Sequence, residues 1–526
     1  MFGIRLFTLP LAIGAASDRW KLLYAYPAHY VSSKLASDEV IAIDGKLDDA
    51  AWDGAVWTNG LVDITHHEDG LQNTVPDDVQ MRAKFRWDAE FFYVGAELNE
   101  PFINGTVTGH NYVAPYHDND FECFIDPHMS GEYYVEFEMN ALNATYDIKW
   151  GKPDGTDALC TTNGSDWATL PTCVNTSFSR SGFYYGNWSM LNDGAASTPR
   201  ADGGPSPARG MQTATAWAPG AFGKPTFPFN TWTVEIAFPI RRFDARASGG
   251  GWRGGILDAD PIVQSLFDAS DPNGGDAAPG RPRYWRVDVS RAEHPFNYTF
   301  ADGTFEVCPY NCTAALATKN IVSILPVSDR DAVAKRWPTI LGGGGGYWEW
   351  VWGAVGSAYP GVGYMHRPSQ WPLVQFAPPL GAPLCRSIEW PARHVAFSVH
   401  LAMAAYAKAH GGAFAASWEA LLRAATAPGA ALCVADLATS DTCDLAALQL
   451  AAKRRDVFAI DVAVTEDAKI LTRVCTRRPC YLATVAVTVP DSGGYTYSIA
   501  VNENRRFIAT HALRSVGESP TIAPCL

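Results

Sequence analysis

The chain has 526 residues, with 41 Lys and Arg against 55 Asp and Glu for a net charge of −14. That length allows about two to four domains and a core that needs no staples. The acidic balance disfavours nucleic acid and anionic membrane as partners, since both need clustered Lys and Arg. With 47% hydrophobic and 18% charged residues the chain is globular, and 18 Trp among 46 Gly and 35 Pro favour short strands joined by irregular loops.

Residues 1–17 read as a secretory signal: Arg5, the apolar run Leu6 to Ile13, then the small Ala15-Ala16-Ser17. Strands are expected at Val40 to Ile43, followed by the Asp44-Gly45 turn, and at Val79 to Trp87. In the latter, Val79, Met81, Ala83, Phe85 and Trp87 make an apolar face, and Gln80, Arg82, Lys84 and Arg86 a solvated one. Asp88 to Glu90 turns this strand into Phe91 to Leu98, and Phe121 to Asp126 pairs with Tyr133 to Asn140. Further strands fall at Thr231 to Ile240 and Tyr284 to Ser290, and the Gly-, Pro- and Ser-rich stretches 151–230 and 246–280 read as loop insertions. Together residues 39–377 predict an antiparallel β-sandwich. Beyond Pro378-Pro379, a smaller α+β region is expected over 385–526. Its helices cover Trp390 to His410 and Ser417 to Ala425, and its strands Val457 to Val464, Lys469 to Cys475, Tyr481 to Val489 and Tyr495 to Val501. No later segment approaches ~18 uninterrupted apolar residues, so no membrane span is expected.

The cysteines fall in close local pairs: Cys160 with Cys173, Cys308 with Cys312, Cys433 with Cys443, and Cys475 with Cys480. None forms a CxxC zinc motif, so disulfide loops in an oxidising compartment are the expectation. Cys385 and Cys525 then remain to close the C-terminal region, and Cys123 reads as a buried thiol. Sequons at Asn104, Asn143, Asn163, Asn175, Asn187, Asn297 and Asn311 agree with a secreted, extracellular glycoprotein.

No nucleophile elbow, P-loop or zinc-enzyme spacing is present. Adjacent His66 and His67 on a strand would point apart, and Asp271 to Asp276 fails the calcium-loop pattern at Gly275. The informative stretch is Tyr116-His117-Asp118-Asn119-Asp120-Phe121-Glu122, where an aromatic and a polar cluster precede an alternating strand. Aromatic platforms beside carboxylates suit the apolar faces and hydroxyl rims of sugars. A hydrogen-bonded or calcium-stabilised turn with no ligand is the other reading, with Asp118 and Asp120 as its candidate metal ligands.

The segments Val40 to Trp52, Arg86 to Ala96, Asp118 to Pro127, Tyr133 to Ala141, Trp232 to Pro239, Trp285 to Arg291 and Trp350 to Trp371 resemble, in order, the motifs of family 9 carbohydrate-binding modules. The resemblance implies an antiparallel β-sandwich that binds the sugar terminus of a poly- or oligosaccharide, partly between two stacking tryptophans, with structural calcium nearby and no required cofactor. It implies that Tyr116 takes the place of the first tryptophan, that Glu122 is a sugar-binding glutamate, and that Glu100 lies near an acidic hydrogen-bonding position. Glu138 falls where sugar-binding members carry an arginine, and Met365 aligns with the second tryptophan, with Tyr364 and Trp371 close by. Trp52 and Trp87 are expected in the core. The family is usually linked to carbohydrate catabolism alongside glycan hydrolases such as xylanases. Two other readings stand beside it: a glycoside hydrolase using an unrecognised carboxylate pair, and a haem-binding electron-transfer sandwich of the DOMON type with Met365 and Met139 as axial ligands.

Overall fold

The computed structural model describes residues 26–63, 75–149, 210–240, 284–308, 321–326, 348–351, 368–433, 443–465, 480–488, 496–502 and 507–512, with short gaps inside these ranges. Outside the described residues lie the signal segment 1–17, the stretch 246–280, Tyr364, Met365, His66 and His67. So do Cys160, Cys173, Cys312, Cys475, Cys525 and the sequons at Asn163, Asn175, Asn187 and Asn311.

The strands of the larger unit are β1 (His29–Lys34), β2 (Val62–Asp63), β3 (Met81–Trp87), β4 (Phe91–Glu100), β5 (Asp120–Asp126), β6 (Val135–Asn140) and β7 (Thr145–Lys149). They continue as β8 (Gln212–Trp217), β9 (Asn230–Pro239), β10 (Tyr284–Glu293), β11 (Phe296–Phe300), β12 (Phe305–Cys308), β13 (Ile321–Pro326), β14 (Trp348–Val351) and β15 (Leu373–Ala377). One long sheet runs β7-β6-β5-β10-β15-β1-β3-β4-β9-β8, with β14 and β2 attached beside β10, and β12-β11-β13 form a separate ribbon. The long sheet curls so that its two halves face each other. Phe137 of β6 meets Phe238 of β9 edge-on at 5.3 Å, and Phe92 of β4 meets Trp285 of β10 at 5.5 Å. The expected sandwich is therefore present, with Phe121, Cys123 and Ile125 of β5 buried against Phe85, Val94 and Ile236 of the other half. Met139 is part of this apolar core. Pairing is antiparallel except at β1, which lies parallel to both β15 and β3.

Two expectations about the first strands fail. Val40 to Ile43 is not a strand: the Ala42 N–H goes to Asp49 Oδ2 at 2.8 Å rather than to a neighbouring strand. Ile41 instead packs with Leu35, Ala51, Trp52, Phe91 and Tyr93 in a second small core on the outer side of β4 and β9. That layer covers the face of β3 expected to be solvated. Arg86 is buried, donating to Ala51 O at 2.6 Å and pairing with Glu39 at 2.6 Å, while the Lys84 ammonium sits over the Trp57 and Trp52 rings at 4.4 and 5.3 Å. Only Arg82 keeps the expected exposure. The stretch 151–230 also contains β8, an edge strand on β9.

The C-terminal region holds α1 (Trp390–Ala409), α2 (Trp418–Thr426), α3 (Leu445–Lys453) and a meander of β16 (Phe458–Thr465), β17 (Cys480–Thr488), β18 (Thr496–Asn502) and β19 (Phe507–Ala512). Pro391 occupies the first turn of α1, where its missing N–H costs nothing. The side chains of Ser417 and Asp444 cap α2 and α3 by accepting from Ala420 N and Ala447 N. Val395, Val399 and Met403 of α1 pack on Ala483, Val485 and Ile499 of the sheet. A disulfide joins Cys433 to Cys443, Cys385 is disulfide-bonded, and Cys123 is a buried free thiol. The region docks on the sandwich through Tyr284 OH to Cys385 O at 2.5 Å, Arg393 Nη1 to Met129 O at 2.6 Å, and Arg286 stacked 5.1 Å over Trp390. Among the described residues, no helix is long and apolar enough to cross a membrane.

Candidate functional site

Alternation along β5 sends Phe121, Cys123 and Ile125 into the core and Asp120, Glu122, Phe124 and Asp126 to the outer face. The ladder then sets a row across four strands: Tyr146 of β7 opposite Glu138 of β6, Glu138 opposite Glu122 of β5, and Glu122 opposite Ser290 of β10. Carboxylate oxygens of Asp120, Glu122 and Glu138 all lie within 4.8 Å of one another. Glu122 and Glu138 are only 3% and 2% exposed. Burial first, and then the neighbouring Glu136, Glu122 and Asp120 charges, push the Glu138 carboxyl well above its usual range. Burial does the same to Asp120, opposed by the Ala292 N–H and by Arg291.

Tyr116 stands at the border of this row on a short 3-10 turn, Pro115–His117, which begins with proline and closes through Asp118 N to Pro115 O at 2.7 Å. Its N–H donates to Glu138 Oε2 at 3.0 Å, and its carbonyl lies 2.7 Å from His294 Nε2. The Tyr116 ring is half-buried, and the exposed His117 imidazole lies beside it at a 4.3 Å ring separation.

The other expected site residues divide. Asp118 is consumed by structure: its oxygens accept from Thr106 N, Thr106 Oγ1, Val107 N and Asn140 Nδ2, which ties the 104–107 segment to the sandwich and leaves it unsuited to the metal role. Glu100 is also buried, ion-paired with Arg291 and held by Asn119 Nδ2 at 3.1 Å; burial lifts it to about 7 against the pull of Arg291. Trp371, expected as a stacking platform, is fully buried between Phe124 and Tyr134, at 5.5 and 5.0 Å, and belongs to the core. Trp52 and Trp87 are core residues as expected. His294, Ser290 and Tyr146 were not singled out from sequence. Ser290 is readable from the alternation of β10, whereas His294 and Tyr146 arrive through pairing that no local pattern announces.

Three comparisons bear on this chain. Residues 43–166 match the family described as carbohydrate family 9 binding domain-like. No curated protein matches. Among solved structures, a candidate carbohydrate-binding protein from Bacteroides uniformis aligns at 10% identity and a TM-score of 0.30, covering 66% of this chain and 99% of that one. A family 9 carbohydrate-binding module from Caldicellulosiruptor kristjanssonii in complex with cellotriose aligns at 11% identity and a TM-score of 0.25, covering 69% and 96%. Over residues 43–166, which contain Tyr116 and the carboxylate row, this chain is similar to the carbohydrate family 9 binding domains.

Proposed function

We propose that the protein is a secreted carbohydrate-binding protein that takes a glycan on the Tyr116 and His117 surface, in the service of carbohydrate catabolism. The observation that carries this reading is the half-exposed Tyr116 ring, pinned from behind through its N–H by Glu138 and through its carbonyl by His294. A ring held at both ends of its peptide loses little freedom when a pyranose face stacks on it, and the exposed His117 edge can exchange hydrogen bonds with hydroxyls. The family match over 43–166 supports the ligand class. Secretion is supported by the N-terminal segment, the seven sequons and the Cys433–Cys443 disulfide. Glu122 and Glu138 act here as buried supports of the platform rather than as direct sugar ligands. The same burial disfavours a hydrolase, which needs an accessible bond held between two carboxyls.

Titrating cellotriose and glucose, then a wider glycan array, into wild type and Tyr116→Ala tests the reading. Wild type is expected to bind at least one glycan, and the variant to lose about tenfold or more, the equivalent of ~1.4 kcal/mol. Equal binding by both proteins would refute the site, and reducing-sugar release would replace binding with hydrolysis.

A further inference from the structure

We infer that the seam between the sandwich and the C-terminal region holds a small oxyanion of the phosphate or sulfate class, bound by Arg286 of β10 and by the residues that lead into α1. Arg286 is 3% exposed, yet among the described residues no carboxylate pairs with it. Its Nη1 donates to Trp371 O at 2.6 Å, and the guanidinium lies 5.1 Å over the Trp390 ring. Asp126, its register partner on β5, spends Oδ2 on the Gly131 N–H at 2.7 Å. Burial first, and the Arg393 charge second, hold the guanidinium below its ordinary range, with Asp126 opposing. Buried charges are as a rule paired, so a guanidinium at this depth without an ion pair calls for a counter-charge.

A second observation is independent of that charge. The Trp390 indole N–H and the Ser387 hydroxyl, on residues 5% and 1% exposed, have no hydrogen-bond partner among the described residues. The indole N–H belongs to the ring against which Arg286 lies. Ser387 is held beside the same ring: its carbonyl accepts from Trp390 N at 3.3 Å, and its N–H donates at 3.1 Å to the hydroxyl of Tyr26, whose ring meets Trp390 edge-on at 5.7 Å. Both groups can donate, and the indole can do nothing else. Buried polar atoms are almost always satisfied, so orphan donors beside an unpaired guanidinium ask for one acceptor that carries negative charge. Trp390 also opens the 20-residue helix α1, whose N-terminus receives no side-chain cap from Glu389. The Glu389 carboxylate instead takes Nε and Nη2 of Arg393, at 2.8 and 2.6 Å, while Arg386 lies 5.9 Å over the Tyr26 ring. Arg286, Arg386 and Arg393 thus stand around Tyr26 and Trp390 against the two carboxyls of Glu389 and Asp126. The depth of Trp390 and Ser387 selects a free ion over a phosphate ester carried on a larger molecule. Bound there, the ion would tie β10 to α1 and so join the two regions. The inference does not depend on sugar recognition, and its test contains no sugar.

Full-length protein in a chloride buffer free of oxyanions is titrated with sodium phosphate, and separately with sodium sulfate, by calorimetry. Thermal unfolding is followed at low anion concentration, below the range in which these salts act by exclusion from the protein surface. The same is done for Trp390→Phe, which keeps a ring under Arg286 but removes the N–H, and for Ser387→Ala. Wild type is expected to bind at least one of the two anions saturably and to melt higher with it than in chloride of equal ionic strength. Each variant should bind about tenfold more weakly and lose most of the shift. Phenyl phosphate, too large for a closed seam, should not compete. If one variant does not fold, the other decides. No saturable heat with either anion in wild type overturns the site and leaves Arg286 to the Trp371 carbonyl and the Trp390 ring. Undiminished affinity in a folded variant also overturns it by placing the ion elsewhere, and competition by phenyl phosphate overturns the choice of a free ion.

Discussion

The indole N–H of Trp52 donates to Glu235 Oε1 at 2.8 Å, joining the N-terminal layer to the centre of β9. Glu235 Oε2 accepts from Gly45 N and Asp44 N at 2.8 and 3.0 Å, so one carboxyl fastens a whole loop. Burial lifts this carboxyl to about 7 despite the Trp52, Gly45 and Asp44 N–H groups, with Asp49 adding to the rise and Lys46 and Lys84 also facing it. Folding therefore favours the protonated form. Its contribution is intact below about 4.5, the ordinary value, and is lost as pH rises through about 7. Glu235→Gln should be less stable than wild type at pH 5 in urea unfolding, and the gap should narrow toward pH 8. Comparing the two proteins cancels the other titrating groups, Glu100 included. Trp52→Phe, which orphans Oε1, should cost about 1–3 kcal/mol.

Arg291 is buried between Glu100 and Glu293 and also donates to Val79 O and Asn99 O at 2.8 Å each. Arg291→Met leaves two buried carboxyls without a counter-charge and should cost about 3–5 kcal/mol at pH 7. The loss should shrink at pH 5, where protonation relieves the carboxyls. Urea midpoints at the two pH values check both statements, and a pH-independent loss would mean that packing dominates.

Gly45 has φ +87°, and a Cβ there would meet the Thr215 backbone at 2.4 Å. Gly411, at φ +64°, would present its Cβ to open space. Gly411→Ala should cost only the ~1 kcal/mol of the left-handed conformation. Gly45→Ala should cost clearly more, because backbone must shift to make room. Thermal unfolding of the two variants side by side tests the contrast.

Cys443 lies in the C-terminal core and is bonded to Cys433, ten residues away in sequence. Cys433→Ser should destabilise the α1 to β19 region by about 2–3 kcal/mol and leave the sandwich transition in place. Hydrogen exchange of the variant beside wild type reads the two regions separately.

Most sandwich strands were visible because one face of each is apolar and the alternation survives, as in Phe121 to Ile125 and Val135 to Met139. What alternation cannot say is what covers the second face. Lys84 and Arg86 look solvated in sequence, yet the 41–52 segment lies over them. The same blindness made Trp371 look like a platform, since only the neighbouring Phe124 and Tyr134 rings reveal it as core. Within the site, Tyr116 and Glu122 stand out locally. The row Tyr146–Glu138–Glu122–Ser290 exists only through register between strands distant in sequence, and so do the His294 contacts.

The parallel seam at β1 has a consequence for how the protein is made. His29 to Ser33 pair with Leu373 to Ala377, so the first of the described strands is enclosed by the last described strand of the sandwich. Until the ribosome has released residue 377, β1 has an open hydrogen-bonding edge, and so does the flank of β10 that β15 will cover. Such late closure between distant partners is slow, and unpaired edges invite association with other nascent chains. A chain stopped short of Leu373 should therefore accumulate as aggregate rather than as a smaller folded sandwich, and recombinant yield should depend on holding the growing chain apart until that seam can close.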